Sequence, residues 1–577
     1  MKQSKTVRWI CLLLSLCICV AVFTGCHKED EDTPSSAPSD TGTSSVDDSG
    51  STIDETDPVE EPVNAEPEDD QWEELPEEPE TSVDYEELTV LNTTPLNTGF
   101  RGINAIHQLY NYMPDKFNRT YNEKQIALEL DTLQKMGVHM IRSFYGDSLA
   151  WDPATQSYDF ESPYMQAFYQ NCRDMEKIGV EVGVTAQWSL AGFLSEQAGN
   201  QQTVNLGVAG FLVPGDFEAT CRNYSRFMEQ SVLAFQAHGV TNVKYFFAYT
   251  ECNNTFVKTT QGETTLEKRD YERLYPIFDG AITALDAGLK NAGLRDRYKI
   301  VGPCDNWRAD DGSESDYSRL VKYSIEHLSD KIDIIGSHNG YDRSNEYVDD
   351  NYYDLPMEKL IDPMTQAKNA GKEYWVDEYN VAVTKYGIEN VRLFCKNPWK
   401  GVALGAMVNS VMNMGGISNI FLWTFYDQQW PDNTNSGADS EFANGIQLCG
   451  YLPCLFESTT PYEPWYSCSL LTRYIGQGTT YDCEVSLGVY LSAIQRTDGE
   501  WTVAVTNYNY EDTPIKISFE KSMGGKTFYR HLYDTNHLEP KPGNDMIGIS
   551  AIAKNVTTGF YDTLPGGSVA VYTTVKD

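Results

Sequence analysis

The chain has 577 residues and a net charge of −40, from 44 Lys and Arg residues against 84 Asp and Glu residues. This length predicts two to four domains at about 100–200 residues each, and hydrophobic residues, at 41%, suffice for a large core. The acidic balance excludes a protein that holds nucleic acid on a basic surface or a membrane on a polybasic patch.

The first 25 residues are predicted to be a secretory signal peptide. A basic start, MKQSKTVR, precedes an apolar run at 9–23, which is short of the about 20 residues that span a bilayer. The small residues Thr24 and Gly25 then precede Cys26, which resembles a bacterial lipobox. The resemblance implies that Cys26 is lipidated and anchors the exported protein to the outer face of the bacterial cell membrane. The alternative is an ordinary signal peptide with an incidental cysteine.

Residues 26–88 are predicted to form an acidic, disordered linker. Positions 27–88 hold 24 acidic residues against one Lys, and such a segment buries too little apolar surface to offset the entropy of ordering it. We interpret it as a stalk that holds the folded part away from the membrane. An acidic arm for a basic partner is the alternative.

Short apolar runs alternate with helical stretches over 89–475, which predicts an α/β fold, a (β/α)₈ barrel. The helical stretches include 122–137 and 216–239. A doubly wound sheet is the rival fold, but no GxGxxG turn follows the first run. The eight predicted strand regions are 99–107, 137–146, 179–188, 243–251, 298–307, 332–341, 372–380 and 417–427.

The pattern changes over 476–577 to short alternating runs separated by turn residues, which predicts a C-terminal β-sandwich. The segment LTVLNTTPL at 88–96 could add a strand to this sandwich before the chain enters the barrel. The runs are 485–497, 501–510, 513–520 and 566–575.

Two glutamates close hydrophobic strands of the predicted barrel. Glu251 ends KYFFAYTE in the fourth region, and Glu378 ends YWVDE in the seventh. Catalytic groups of these barrels lie at the C-terminal strand ends, and glycoside hydrolysis needs two carboxyl groups that flank the scissile bond. Each glutamate alone is explained equally well by a structural ion pair, but together they favour a glycosidase.

The strand ends resemble clan A glycoside hydrolases, and most closely family 39, which contains β-xylosidases and α-L-iduronidases. The resemblance covers about residues 98–577 and includes a final motif in the predicted sandwich. It rests on YFFAYTECNN (245–254), VGPCDNW (301–307), SHNGY (337–341), DEYN (377–380), LWTFYDQ (422–428) and VAVTNYNY (503–510).

The resemblance implies that Glu251 is the general acid/base and Glu378 the nucleophile of a retaining mechanism. It also implies that Arg142 and Tyr341 keep Glu378 ionised, and that His338 binds sugar hydroxyls. The strand ends and the resemblance together indicate these substrate-binding residues: His107, Arg142, Trp188, Thr250, Asn253, Trp307, His338, Tyr341 and Trp423.

The sequence departs from the family at the acid/base. Thr250 stands where the clan has Asn, and Cys252 stands where it has Pro. That Asn bonds the sugar 2-hydroxyl, a contact that strengthens in the transition state. Three interpretations stay open: a substrate that differs at C2, a contact supplied by Asn253 or His107, or a weakened site that only binds.

Two classes of function therefore remain. One is a surface-anchored retaining glycosidase, and the other is a glycan-binding lipoprotein built on a catalytically impaired barrel. A neighbouring clan A activity, such as an arabinofuranosidase or an endo-glycanase, is a further alternative. We expect no metal and no cofactor, since Cys and His residues lack zinc spacing and no nucleotide motif is present. Carbohydrate and the anchoring membrane are the expected partners.

Overall fold

The computed structural model describes the chain from residue 72 onward, with gaps. The predicted signal peptide, Cys26 and most of the predicted linker lie outside the described residues. The described ranges are 72–77, 83–108, 120–152, 154–185, 210–213, 215–248, 271–306, 316–339, 354–379, 381, 396–429, 442–443, 446–484, 486, 488–536 and 538–576.

The strands and helices alternate through the first part of the described chain, and strands alone follow. The strands are β1 (Glu73–Glu74), β2 (Glu86–Phe100), β3 (Ile103–Ile106), β4 (Met140–Phe144), β5 (Trp151–Asp152), β6 (Ser157–Tyr158), β7 (Glu181–Thr185), β8 (Val243–Phe247), β9 (Lys299–Asn306), β10 (Ile334–Asn339), β11 (Tyr374–Tyr379), β12 (Ile417–Leu422), β13 (Gln428–Gln429), β14 (Phe442–Ala443), β15 (Ile446–Gln447), β16 (Gly478–Glu484), β17 (Val489–Arg496), β18 (Trp501–Asn507), β19 (Thr513–Phe519), β20 (Lys526–Asp534), β21 (Ala551–Val556), β22 (Gly559–Leu564) and β23 (Ser568–Thr573). The helices are α1 (Glu123–Lys135), α2 (Pro163–Lys177), α3 (Phe217–Ala237), α4 (Tyr271–Asn291), α5 (Asp316–His327), α6 (Asp354–Asn369), α7 (Trp399–Asn413) and α8 (Glu463–Ile475).

Eight parallel strands close into a barrel, which confirms the predicted fold class. The closed order is β10-β11-β12-β3-β4-β7-β8-β9, so each strand pairs with its neighbour in the chain and β12 returns to β3. One described helix follows each barrel strand. Each of the eight predicted strand regions contains one of these strands.

Local signals place the helices where the sequence predicts them. Asn122 caps α1, because its side chain accepts hydrogen bonds from the backbone of Lys124 and Gln125, and Gln125 accepts one from the Asn122 amide. Gly137 follows the helix at φ +65°, a conformation that disfavours a side chain. The helix therefore ends there, and the chain turns back into β4.

Large apolar side chains fill the barrel interior. The rings of Phe247 and Trp375 lie 5.5 Å and 5.9 Å from that of Phe421, and all three are fully buried. A packed interior leaves the strand ends as the place for a site.

Ten strands form a second, curled sheet, which confirms the predicted β domain. Its order is β1-β21-β20-β23-β18-β17-β16-β2-β19-β22. Rings from distant parts of this order meet, since Phe528 of β20 lies 5.6 Å from Phe519 of β19 and 5.9 Å from Phe560 of β22. The sheet therefore folds over an apolar core of its own as a sandwich.

The sheet begins earlier in the chain than expected. β2 contains the 88–96 segment and pairs with both β16 and β19, which confirms the extra strand. Within the range 26–88 predicted to be disordered, however, Leu75 is buried in the sandwich core. Its acidic neighbours are accommodated by cations of the sheet: Glu73 lies 3.2 Å from Arg530, and Glu74 lies 3.6 Å from Lys554.

The barrel and the curled sheet belong to one compact unit, Glu68–Asp577. Asn409 of α7 donates to the carbonyl of Tyr490 and to the Thr506 hydroxyl, and it accepts from the Ser492 hydroxyl. No described helix is both long and apolar enough to cross a bilayer.

Candidate active site

Glu378 lies at the C-terminal end of β11, the seventh barrel strand. Its side chain is 14% exposed. Its Oε2 lies 3.5 Å from Nη1 of Arg142 and 3.5 Å from Nδ1 of His338. The structure thus brings together three of the predicted site residues from the second, sixth and seventh strands.

Arg142 reaches across the barrel from β4 and is fully buried. Its Nε donates to the Thr185 hydroxyl at 2.8 Å, and its Nη1 donates to the backbone carbonyl of Asp377 at 2.5 Å. Its guanidinium also lies 4.8 Å from the ring centre of Phe247, which is a cation–π contact. These contacts fix a permanent positive charge beside Glu378.

His338 of β10 connects the two charged side chains. Its Nε2 lies 3.3 Å from Nη1 of Arg142. Its Nδ1 faces Oε2 of Glu378 on the opposite edge of the ring. The imidazole therefore contacts both charged side chains, one through each ring nitrogen.

A β-bulge places an additional carboxyl group, Asp377, in the site. Ser337 pairs with Val376 and His338 pairs with Glu378, so Asp377 is the extra residue of β11. Its Oδ1 lies 3.8 Å from Nε2 of His338, and the side chain is fully buried. A Cβ on Gly336 would lie 2.9 Å from Oδ2 of Asp377, so the glycine supplies the room.

Asp305 of β9 is a further buried carboxyl group near the site. Burial raises the pKa of Asp305 well above its usual range, and the Asp377 carboxylate raises it further. The Ser337 hydroxyl and His338 oppose that rise in pKa. Neither Asp305 nor Asp377 was predicted as a site residue, although they lie in the motifs VGPCDNW and DEYN. An acid one or two positions before the end of an apolar barrel strand was the available signal.

Trp423 and His107 each follow the last residue of a barrel strand, β12 and β3 respectively. The Trp423 amide donates to the Tyr379 carbonyl at 2.8 Å, and its ring lies 5.9 Å from that of Phe144. Trp423, a predicted substrate-binding residue, thus lies beside the strand that carries Glu378. His107 lies 3.3 Å from Glu129 of α1, its ring lies 5.6 Å from that of Tyr426, and its amide donates to the Arg142 carbonyl at 2.8 Å. A sugar contact for His107 stays a prediction.

Six predicted site residues lie outside the described residues. They include the predicted acid/base Glu251, which follows the last residue of β8 by four positions in the sequence. Because β8 is the fourth barrel strand, its end belongs to the same barrel face as the end of β11. The six residues are Trp188, Thr250, Glu251, Asn253, Trp307 and Tyr341.

Among the described residues, no group of three or more His, Cys, Asp or Glu side chains is arranged to hold a metal ion. What the described part presents is a carboxylate of low exposure held by a guanidinium and an imidazole. A carboxylate in this setting can act as a nucleophile or as a general base.

The fold is similar to that of solved glycoside hydrolases. A family 30 subfamily 8 xylanase from Clostridium acetobutylicum shares 14% identity at a TM-score of 0.50, over 84% of this chain and 99% of that one. A family 30 xylanase from Talaromyces cellulolyticus shares 13% identity at a TM-score of 0.53, over 85% of this chain and 99% of that one. An endo-β1,6-glucanase shares 16% identity at a TM-score of 0.54, over 86% of this chain and 95% of that one.

These likenesses show the fold alone: a (β/α)₈ barrel that carries a β domain. No protein-family model matches the sequence, and no curated protein matches it.

Proposed function

We propose that this protein is a retaining glycoside hydrolase that cleaves O-glycosidic bonds of oligo- or polysaccharides, with Glu378 as its nucleophile. The observation that carries the proposal is the placement of Glu378 at the seventh strand end, 3.5 Å from both Arg142 and His338. The glycosidase fold of its structural neighbours supports the same reaction class.

In the proposed reaction the Glu378 carboxylate attacks the anomeric carbon and forms a glycosyl ester, while Glu251 gives its proton to the leaving oxygen. Glu251 then takes a proton from water, the water oxygen attacks the same carbon, and the ester bond to Glu378 breaks. Arg142 stabilises the Glu378 carboxylate when it leaves, and Nδ1 of His338 faces the same oxygen. Two displacements return the original anomeric configuration.

The finer assignment to family 39, and the lipid anchor on Cys26 at the outer face of the membrane, are part of this proposal. Both rest on sequence motifs, SHNGY and DEYN for the family and Thr24-Gly25-Cys26 for the anchor. Globomycin treatment of expressing cells tests the anchor: it should cause the uncleaved precursor to accumulate, and a Cys26→Ala variant should be insensitive.

A glycan-binding protein without turnover is the second candidate. Thr250 in place of the clan's Asn favours it, because the shorter side chain makes fewer bonds to the 2-hydroxyl. An arabinofuranosidase or endo-glycanase activity differs from the first candidate only in substrate.

Turnover by the purified protein tests the proposal. Wild type, Glu378→Gln and Glu251→Gln should be incubated with aryl glycosides and with xylan, β-1,6-glucan and arabinan, and product release followed. We expect wild-type turnover on one substrate and a loss of at least about 10³-fold in each variant. Glu326→Gln, an exposed acid on α5, is the matched control and should retain wild-type rates. Binding of a glycan without turnover would favour the second candidate and overturn the hydrolase.

A further inference from the structure

A cavity of about 490 Å³ lies where the segment after β12 meets the start of α8 and the β-domain residue Pro540. Cavities of about 300–1,000 Å³ are typical of small-molecule sites. Asp427, Ile446 and Tyr462 are among its lining residues, whereas Arg142, His338 and Glu378 are not. The lining of the cavity therefore includes none of the three side chains that meet at Glu378.

Tyr462 forms a fixed aromatic wall of this cavity. Its hydroxyl donates to Oδ2 of Asp427 at 2.8 Å. Asp427 is itself 4% exposed, and its Oδ1 accepts from the backbone amides of Cys449 and Gly450 at 3.0 Å and 2.8 Å. Because Asp427 is held by the backbone, the orientation of the Tyr462 ring is held as well.

An ammonium group already lies on this ring. Nζ of Lys396, an exposed lining residue, is 5.5 Å from the ring centre of Tyr462. That distance is within the range of a cation–π contact. The chain thus shows where an ammonium group fits in the cavity. The ammonium group of Lys396 is carried on a flexible four-carbon side chain, so another ammonium group could displace it.

The lining carries more negative than positive charge. Asp427, Glu457 and Glu463 line the cavity together with Lys396. Burial raises the pKa of Asp427 to about 6, opposed by the two backbone amides, by Tyr462 and by Lys400. Burial also raises the pKa of Glu463. Ionised carboxylates are costly here, and a bound cation would lower that cost.

The size of the favoured cation follows from the arrangement of these acids. Among the described residues no three acidic, Cys or His side chains are arranged around one metal-sized point. The three acids instead share the lining of a cavity of about 490 Å³ with apolar residues that include Ile446 and Pro453. An organic cation matches such a space better than a metal ion.

We propose that this cavity binds an organic ligand through a primary ammonium group, which takes the place of Lys396 on the Tyr462 ring. The carbon skeleton of the ligand lies against the apolar lining residues Ile446 and Pro453. An alkyl amine and an amino sugar share this chemistry.

Calorimetric titration of the purified protein with cadaverine, glucosamine, N-acetylglucosamine and calcium chloride tests the proposal. We expect cadaverine, glucosamine or both to bind. Because Lys396→Ala removes the competing ammonium, it should tighten that binding by at least about threefold. Glu457→Gln should weaken it by a similar factor. The matched controls are Lys541→Ala and Glu539→Gln, exposed residues that flank Pro540 but do not line the cavity, and both should bind as wild type does.

The two amine titrations distinguish the two ligand classes. Binding of cadaverine alone assigns an alkyl amine, and binding of glucosamine assigns an amino sugar. Cadaverine should also bind more tightly at about pH 7 than at about pH 5, because Asp427 ionises between them. Equal binding of N-acetylglucosamine and glucosamine would overturn the proposal, as would stoichiometric calcium binding that Glu457→Gln abolishes. A Lys396→Ala affinity no higher than that of Lys541→Ala, or no amine binding at about 10 mM, would overturn it too. The titration measures binding alone, so its outcome does not depend on glycoside hydrolysis.

Discussion

At the scale of residues, the candidate site is arranged around one carboxylate oxygen. Oε2 of Glu378 lies 3.5 Å from both Arg142 and His338, and Asp377 lies on the other side of the His338 ring. Arg142 supplies the one permanent positive charge of this described cluster, against the carboxyl groups of Asp377 and Glu378. The carboxyl groups of Asp377 and Glu378 thus face the two nitrogens of one imidazole ring.

Replacing Asp377 by Asn should change the pH dependence of the proposed hydrolysis. A like charge close by favours the protonated form of a carboxyl group. Removal of that charge should move the acidic limb of kcat/KM to lower pH by about one unit. The measurement is a pH profile of kcat/KM on the best substrate of the wild type.

Asp305→Asn is the matched control for this profile. Burial raises the pKa of Asp305 well above its usual range, which favours the neutral form of its carboxyl group, and an amide resembles that form. Its acidic limb should coincide with that of the wild type. Equal shifts in both variants, or no shift in Asp377→Asn, would contradict the assignment of charge to Asp377.

The sequence predicted Arg142, His338 and Glu378 because each is a polar residue in the end region of a predicted apolar strand, and because the motifs at the strand ends resemble those of a known family. It could not predict the placement of Asp377. Simple alternation gives neighbouring residues opposite faces, and only the bulge between β10 and β11 lets Asp377 and Glu378 both approach His338. Bulges depend on the partner strand, which a single segment of sequence does not show.

At the scale of elements, the barrel strands were predictable because each is a short apolar run, and helical stretches lie between most of these runs. β1 was not, because its segment is acidic and its order depends on Leu75 and on cations far along the chain. The hairpin of β5 and β6 is only two residues per strand, too short for a periodic pattern. Local composition therefore predicted the elements that carry their own pattern and missed those held by distant partners.

The segment after β12 depends on one buried acid, Asp427, which holds the backbone of Cys449 and Gly450. Burial raises the pKa of Asp427 from 3.8 to about 6. A carboxyl group with a raised pKa in the folded state stabilises that state below the unfolded pKa, and this contribution is lost as pH rises through about 6. Its ionisation therefore opposes folding near neutral pH.

Asp427→Asn should remove this pH dependence. Relative to the variant, the wild type should lose about 2 kcal/mol of unfolding free energy between about pH 4 and pH 7. Urea denaturation of both proteins at several pH values measures the difference. A difference that stays constant over this range would contradict the raised pKa.

At the scale of the whole molecule, the barrel and the curled sheet share a core. Residues of α7, α8 and the β domain belong to one buried apolar cluster, and the Tyr533 hydroxyl of β20 donates to the Pro398 carbonyl just before α7 at 2.6 Å. We expect the two parts to unfold together in a single calorimetric transition.

Asn409→Ala should weaken this connection. The substitution leaves the Ser492 hydroxyl and the Tyr490 carbonyl without the bonds that Asn409 makes, and it should lower the unfolding free energy by about 1–3 kcal/mol. Ser410→Ala is the control, since that hydroxyl donates only within α7, to Ala406, and should cost less than about 0.5 kcal/mol. Equal effects of both variants would contradict a specific polar link between helix and sheet.

The anomeric configuration of the first product is the measurement that tests the central claim most directly. Proton NMR during turnover of the best substrate records the configuration before mutarotation. A nucleophilic Glu378 predicts a product with the configuration of the substrate, and loss of that product in Glu378→Gln. A product of inverted configuration would contradict the covalent role of Glu378, and undiminished turnover by Glu378→Gln would remove it from the reaction.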